Sequence, residues 1–246
     1  MLRKILIGTG AILGIGVIAW IGYQAGFWRI NYPDKRYFPV RGIDVSHHQG
    51  NIDWDAVARG GFDFVYIKAT EGGDFVDDRF VKNWSESQSS GLIRGAYHFF
   101  TLGTPGEEQA LNFLNQVPPE TVSLPPVIDF EFAGNTRDRL PVEEVVRGLL
   151  VMADALEAHY GKKPILYVTR AAYREYLIGQ VDNYDIWIRQ IVGKPDHING
   201  KDWLMWQFAD NTRVNGIHGP VDQNVFNGVL ADLRALVTGV VVRLSY

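Results

Sequence analysis

The chain reads as an α/β protein folded into one closed, TIM-like barrel, and three observations predict it. From Gly42 onward, short apolar strand patterns alternate with amphipathic helical ones, the pattern of a parallel sheet buried on both faces. Eight such strands fall in one uninterrupted stretch of about 200 residues, which favours closure over an open sheet. No helix of comparable strength separates the last strands, so one side of the barrel should be poor in helices.

The predicted strands are 42–46, 63–69, 93–100, 125–131, 164–169, 184–190 and 203–208, with a short eighth near 217–222. Each of the first five is followed by a helical pattern. Thr104-Pro105-Gly106-Glu107 reads as a capping box with proline at the first helical position, opening a helix through Ala110, Phe113 and Leu114. Pro141 opens the longest helix, which carries Val145, Leu149, Met152 and Leu156 on one stripe and ends before Gly161. A helix near 228–238 closes the chain. Neither an internal repeat nor a low-complexity stretch interrupts this order.

Ahead of the barrel the composition changes. Ile5 to Trp28 run for 24 positions without a charge, and about 20 apolar residues suffice to cross a bilayer. Trp20, Tyr23 and Trp28 lie toward the far end, where interfacial aromatics belong. A cleaved signal peptide would have a shorter apolar region and a small-x-small cleavage site, which is missing. The segment is therefore read as a transmembrane helix, with membrane contact through residues 5–28. Arg3 and Lys4 precede it, while Arg29, Lys35, Arg36 and Arg41 follow, so the positive-inside count does not favour an exported barrel. The predicted organisation is a membrane anchor or uncleaved signal at 1–28, a linker at 29–40, the barrel at 41–238 and a C-terminal tail at 239–246.

Charge and residue usage narrow the function. A net charge of −4 over 246 residues argues against a nucleic-acid partner. Residues 1–29 carry three basic groups and no acidic one, leaving 21 basic against 28 acidic, a net −7, on the remainder. With no cysteine there is no disulfide framework, thiolate metal site or cysteine nucleophile. The serine-hydrolase elbow, the Walker loop and the dinucleotide fingerprint are also missing.

What remains is carboxylate chemistry at the C-terminal ends of the strands, where barrels of this kind place their sites. In Val127-Ile128-Asp129-Phe130-Glu131-Phe132, alternation aims Asp129 and Glu131 to one face, their Cα atoms about 6.6 Å apart. Two acids facing the interior of so apolar a strand are expensive to bury without purpose. Asp44 ends the first strand and Asp222 the eighth, so a closed barrel brings all four acids to one mouth. Mutual repulsion should raise at least one pKa, as a general acid near neutral pH requires. Tyr97, Tyr167 and Trp206, near strand ends, are candidate sugar-stacking residues. His47 and His48, read as adjacent strand-end side chains, should point apart and make a poor metal pair. His98 reads as a hydrogen-bonded barrel histidine. No cofactor or metal is expected.

The stretch from Arg41 to about Leu236 resembles glycoside hydrolase family 25, the Chalaropsis-type lysozymes. The resembling motifs are GIDVSHHQGNIDW at 42–54, FVYIKATEG at 64–72, RGAYHFF at 94–100, PPVIDFEF at 125–132, ILYVT at 165–169, MWQFAD at 205–210 and VDQNVFNG at 221–228. The resemblance implies an irregular barrel of five β/α units followed by three strands. It also implies cleavage of the β-1,4 bond between N-acetylmuramic acid and N-acetylglucosamine in peptidoglycan, outside the cytoplasm. By motif position Glu131 resembles the general acid, Asp129 its partner, and Asp44 and Asp222 the other acids. Lys68, in the second motif, joins the substrate-binding candidates. Arg189-Gln190 after Trp187 and the membrane segment depart from the family pattern. Two other classes fit the same residues: a tethered glycan-binding barrel without turnover, and a hydrolase of another N-acetylated glycan.

Overall fold

A computed structural model describes residues 14–239 apart from 24, 28, 30, 120–122 and 137–139. Nine strands form one sheet: β1 (Arg41–Val45), β2 (Phe64–Glu71), β3 (Phe75–Val76), β4 (Ile93–Phe99), β5 (Val127–Phe130), β6 (Ile165–Thr169), β7 (Ile186–Arg189), β8 (Met205–Thr212) and β9 (Val221–Phe226). Their order, β1-β9-β8-β7-β6-β5-β4-β2, closes through a β1–β2 pairing into an eight-stranded barrel, and β3 is a short addition at the end of β2. The seams from β1 through β2, β4, β5, β6 and β7 to β8 are parallel. β9 runs antiparallel to both β8 and β1. The expected all-parallel barrel is corrected at this one strand, because the connection at 213–220 between β8 and β9 is too short for a crossover helix.

The helices are α1 (residues 14–23), α2 (Trp54–Arg59), α3 (Phe80–Ser89), α4 (Gly106–Gln116), α5 (Val142–Tyr160), α6 (Arg170–Ala172), which continues as one π turn, and α7 (Leu230–Val237). α5 follows Pro141 and stops at Gly161, whose φ of 64° ends the helix in the left-handed region. α4 starts later than its predicted cap. No side chain caps it, and the Thr104 hydroxyl accepts instead from Thr101 at 2.8 Å.

Alternation along the strands builds two apolar layers. Phe64, Tyr66, Tyr167, Trp187, Met205 and Phe226 fill the barrel interior toward its floor. Val65, Ile67, Leu166, Val168 and Ile188 face outward against Phe113, Leu149, Met152 and Leu156. Each fully buried side chain of this size contributes roughly 1.5–3 kcal/mol relative to exposure.

The helix-poor side is covered in another way. Residues 29–40, predicted as a linker, lie along the outside of β8. Tyr32 meets Phe208 edge-on at 5.6 Å, and Phe38 packs on Trp203 and Trp206 at 5.7 and 5.9 Å. Arg41 donates to the Pro33 carbonyl and sits over the Tyr32 and Phe208 rings. Phe38 and Val40 are buried, so this stretch is a strap on the barrel and not a free tether. The physical reason is that β8 and β9 have no helix of their own to cover their outer face.

No helix among the described residues is long and apolar enough to cross a membrane. The predicted span 5–28 falls partly outside those residues, at 5–13, 24 and 28, and α1 is its described helical part. The predicted tail at 239–246 lies outside them from residue 240 onward.

Candidate active site

The parallel strands end at one mouth, and β9, running the other way, begins there. Asp44, on β1, stands directly opposite Asp222, on β9. Asp222 was expected at the end of a strand at 217–222. It lies near the start of an antiparallel strand at 221–226, and the reversal returns it to the same mouth. Asp129 occupies β5 and Glu131 follows its last residue, while Phe130 between them turns outward onto Phe100 and Tyr176. Asp44, Asp129, Glu131 and Asp222 line one cleft of about 190 Å³ with Lys68, Tyr97, Tyr167, Trp187 and Gln207.

Two amides organise the β1/β9 pair. Gln207 Nε2 donates to Asp44 Oδ2 and to Asp222 Oδ2, each at 3.1 Å, and Asn224 Nδ2 donates to Asp44 Oδ2 at 2.7 Å. Both amides are held in turn: the Tyr167 hydroxyl donates to Gln207 Oε1 at 2.9 Å, and Trp187 Nε1 donates to Asn224 Oδ1 at 3.0 Å. Burial raises the pKa of Asp44, opposed by the donations from Asn224 and Gln207. Burial and the Asp44 charge raise Asp222 well above the carboxylate range. Of the two, Asp44 is the more favoured to carry charge, because it accepts from two amides and Asp222 from one.

The second pair is held by fewer partners. Burial pushes Asp129 well above its ordinary range, and the charges of Glu131 and Asp44 add to the effect. One of its oxygens, Oδ1, is buried without a hydrogen-bond partner. Burial also raises Glu131, which Arg189 opposes and Asp44 reinforces. Glu131 is less buried than Asp129 and is the more accessible carboxyl of the two. Lys68 bonds Glu71 at 2.6 Å and lies between the Phe75 and Phe99 rings, its charge favouring ionised acids nearby.

One predicted ligand residue is absent from the cleft. Trp206 is 1% exposed and faces outward among Phe38, Trp203 and Phe208, donating to the Gln190 carbonyl at 2.7 Å. Its neighbour Gln207 takes the inward position, so alternation excludes Trp206. Trp187 is the tryptophan that lines the site, beside Tyr97 and Tyr167. Gln207, Asn224, Trp187 and Arg189 were not singled out as site residues. The available signal was a Gln and an Asn at inward positions of otherwise apolar strands. The His47-His48 expectation is also corrected. The two lie on a 3-10 turn with ring centroids 4.0 Å apart, and His47 Nδ1 bonds Asp77 Oδ2 at 2.9 Å. Among the described residues no cluster of three His, Asp or Glu side chains could hold a metal ion. His98 is fully buried between Thr70 Oγ1 and Gln109 Oε1, at 2.7 and 3.0 Å, and desolvation lowers its pKa to about 4.

Paired carboxylates at the mouth of an irregular barrel are the side chains that a carboxylate glycosidase requires. The model of the glycosyl hydrolases family 25 matches residues 43–217, and the chain belongs to that family. It is 33% identical over 248 aligned residues to lysozyme M1 of Streptomyces globisporus, covering 94% of this chain and 82% of that one. It is 38% identical to the uncharacterized protein YegX of Escherichia coli, over 82% of this chain and 75% of that one. Its fold matches a family 25 glycosyl hydrolase from Bacillus anthracis with a TM-score of 0.79 and 39% identity, over 84% and 96% of the two chains. The protein is thus a glycoside hydrolase of the lysozyme type.

Proposed function

We propose that the protein is a muramidase that cleaves the β-1,4 bond between N-acetylmuramic acid and N-acetylglucosamine in peptidoglycan. Glu131 acts as general acid, protonating the glycosidic oxygen as oxocarbenium character develops at the anomeric carbon. Asp129 orients the 2-acetamido group, whose carbonyl oxygen attacks that carbon. The observation that carries this reading is the unpartnered Asp129 Oδ1 beside Glu131. An acetamido N–H is the donor that this oxygen lacks. Accepting it favours ionised Asp129 and leaves the proton shared by the two acids on Glu131, where the leaving group needs it. Asp44, whose charged form two amide donors favour, stabilises the positive charge that grows at the anomeric centre.

The test uses purified peptidoglycan, the full chain in detergent and its Glu131→Gln variant, with reducing ends read by mass spectrometry. Release of muramic-acid ends by the parent, lowered at least 10²-fold in the variant, is the expected result for loss of a general acid. Binding without release by either protein would leave a glycan-binding barrel as the function. Direct displacement by water activated at Asp44 or Asp222 would invert the anomer, so an initial product of inverted configuration would exclude acetamido participation.

Residues 5–28 hold the barrel to a membrane, on the side where the wall lies. Support comes from the uncharged run and from α1, where Ile15, Val17, Ile18, Trp20 and Ile21 are all more than half exposed and are spread around the whole helix. A helix apolar on every side calls for a hydrocarbon environment.

A further inference from the structure

The anchor joins the barrel at the catalytic rim, through a junction built to be stiff. α1 ends in a Schellman motif: Gly26, at φ 74°, donates to the Tyr23 carbonyl at 3.0 Å, and Phe27 donates to the Gly22 carbonyl at 2.9 Å. The turn is pressed onto the end of β8. Arg213 Nε donates to the Ala25 carbonyl at 2.7 Å and its guanidinium lies 4.3 Å from the Phe27 ring centroid. Gly26 is so close to β8 that an added Cβ would overlap the Asn211 carbonyl oxygen. From there the strap descends the outside of β8 past Phe208 and Trp206 to the floor, where Phe226 donates to the Val40 carbonyl at 3.0 Å. The chain therefore leaves the bilayer at the mouth end, and the strap carries it to the opposite end before β1 begins.

We propose that the strap fixes the barrel with its mouth rim, the turn at 213–220, against the bilayer surface, so that its substrate is the glycan layer adjoining the membrane. This rests on the anchoring reading. A flexible tether would let the mouth sweep outward through the wall. A capped helix followed by a packed strap holds the rim near the headgroups. The floor stands a β8 length away, about 26 Å at 3.3 Å per residue, well beyond a headgroup layer of about 5–8 Å.

Because the chain has no cysteine, single introduced thiols give unambiguous labels. Full-length Asn215→Cys (rim) and Lys163→Cys (floor) are labelled with a fluorophore and reconstituted into phosphatidylcholine vesicles carrying a headgroup-linked quencher. Rim quenching severalfold stronger than floor quenching is expected. Adding Gly26→Val, which pries the turn off β8, should remove most of that difference. Hydrolysis of soluble glycan chains in detergent should stay at the parent rate, showing that the barrel is intact. Co-flotation with vesicles but equal quenching at both sites would overturn the fixed orientation and leave the anchor standing. Failure to co-float would overturn the anchoring reading and the orientation together. Neither readout depends on muramidase activity.

Discussion

Asp129 shows how one side chain can be costly to the fold and useful to the reaction. Burial and two neighbouring acids raise its pKa, so the folded chain holds a proton that the unfolded chain has released above the ordinary value of 3.8. Stability is therefore highest below that value and falls as pH climbs toward the raised one. Asp129→Asn removes this loss. We expect the variant to melt higher than the parent at pH 7, by about 2–4 °C if roughly 1 kcal/mol is relieved. Below pH 4 the two should converge. The same substitution should abolish glycan release, because a neutral amide cannot stabilise the acetamido N–H as a carboxylate does. A variant less stable than its parent at pH 7 would mean that Asp129 is held ionised by partners in the fold. Glu131→Gln separates the roles, since it removes the transferable proton and leaves the Asp129 oxygen in place.

At the scale of elements, close approach of α4 and α5 sets a limit that composition does not reveal. A Cβ on Gly106 would overlap the Gly148 carbonyl oxygen, whereas a Cβ on Gly148 would find ordinary contacts at 3.7 Å. Gly106→Ala should cost about 1–3 kcal/mol by overpacking. Gly148→Ala, in the interior of a helix, should gain up to about 0.8–1 kcal/mol from propensity. Urea unfolding of both, with unchanged slopes, checks the pair; equal effects would contradict this helix contact. Element existence was legible because periodicity reports it: seven of the eight barrel strands and the long helix after Pro141 stand where apolar alternation and stripes place them, and the eighth, at 221–226, overlaps its expected place only at 221–222. The carboxylate quartet was legible for the same reason, since inward alternation on β5 selects Asp129 and Glu131 together. What escaped was non-local. The direction of β9 depends on a turn whose partner strand is not marked in sequence. The inward face of β8 belongs to Gln207 because of a register that no local pattern fixes, and Trp206, the larger aromatic, drew attention to the wrong face. Residues 29–40 looked like a linker because Pro33 and Pro39 forbid regular structure, yet irregular backbone can still pack.

For the whole molecule, the strap decides where the folding unit begins. The barrel motifs start at Arg41, but the outer face of β8 is completed by Tyr32 and Phe38, and Val40 is 2% exposed in the floor layer. Loss of one buried phenylalanine costs about 3–5 kcal/mol, against a total stability of about 5–15 kcal/mol for a domain. A chain beginning at residue 30 keeps these contacts and gives up only α1 and the turn at 25–27 that follows it. A chain beginning at residue 41 exposes Phe208, Trp203 and Trp206 as a contiguous apolar patch on strands that no helix covers. The first should be monomeric, with a single cooperative thermal transition and full hydrolysis of soluble glycan chains. The second should aggregate, or melt at least 10 °C lower if the loss reaches about 3 kcal/mol at roughly 2–4 °C per kcal/mol. Size-exclusion chromatography with thermal unfolding decides between them. Equal behaviour of the two chains would show that the strap adds nothing to the barrel and would return residues 29–40 to the role of a tether. If instead only the shorter chain fails, residues 30–40 and the catalytic barrel form one folding unit, and the proposed anchor joins that unit through the contacts that complete the outer face of β8.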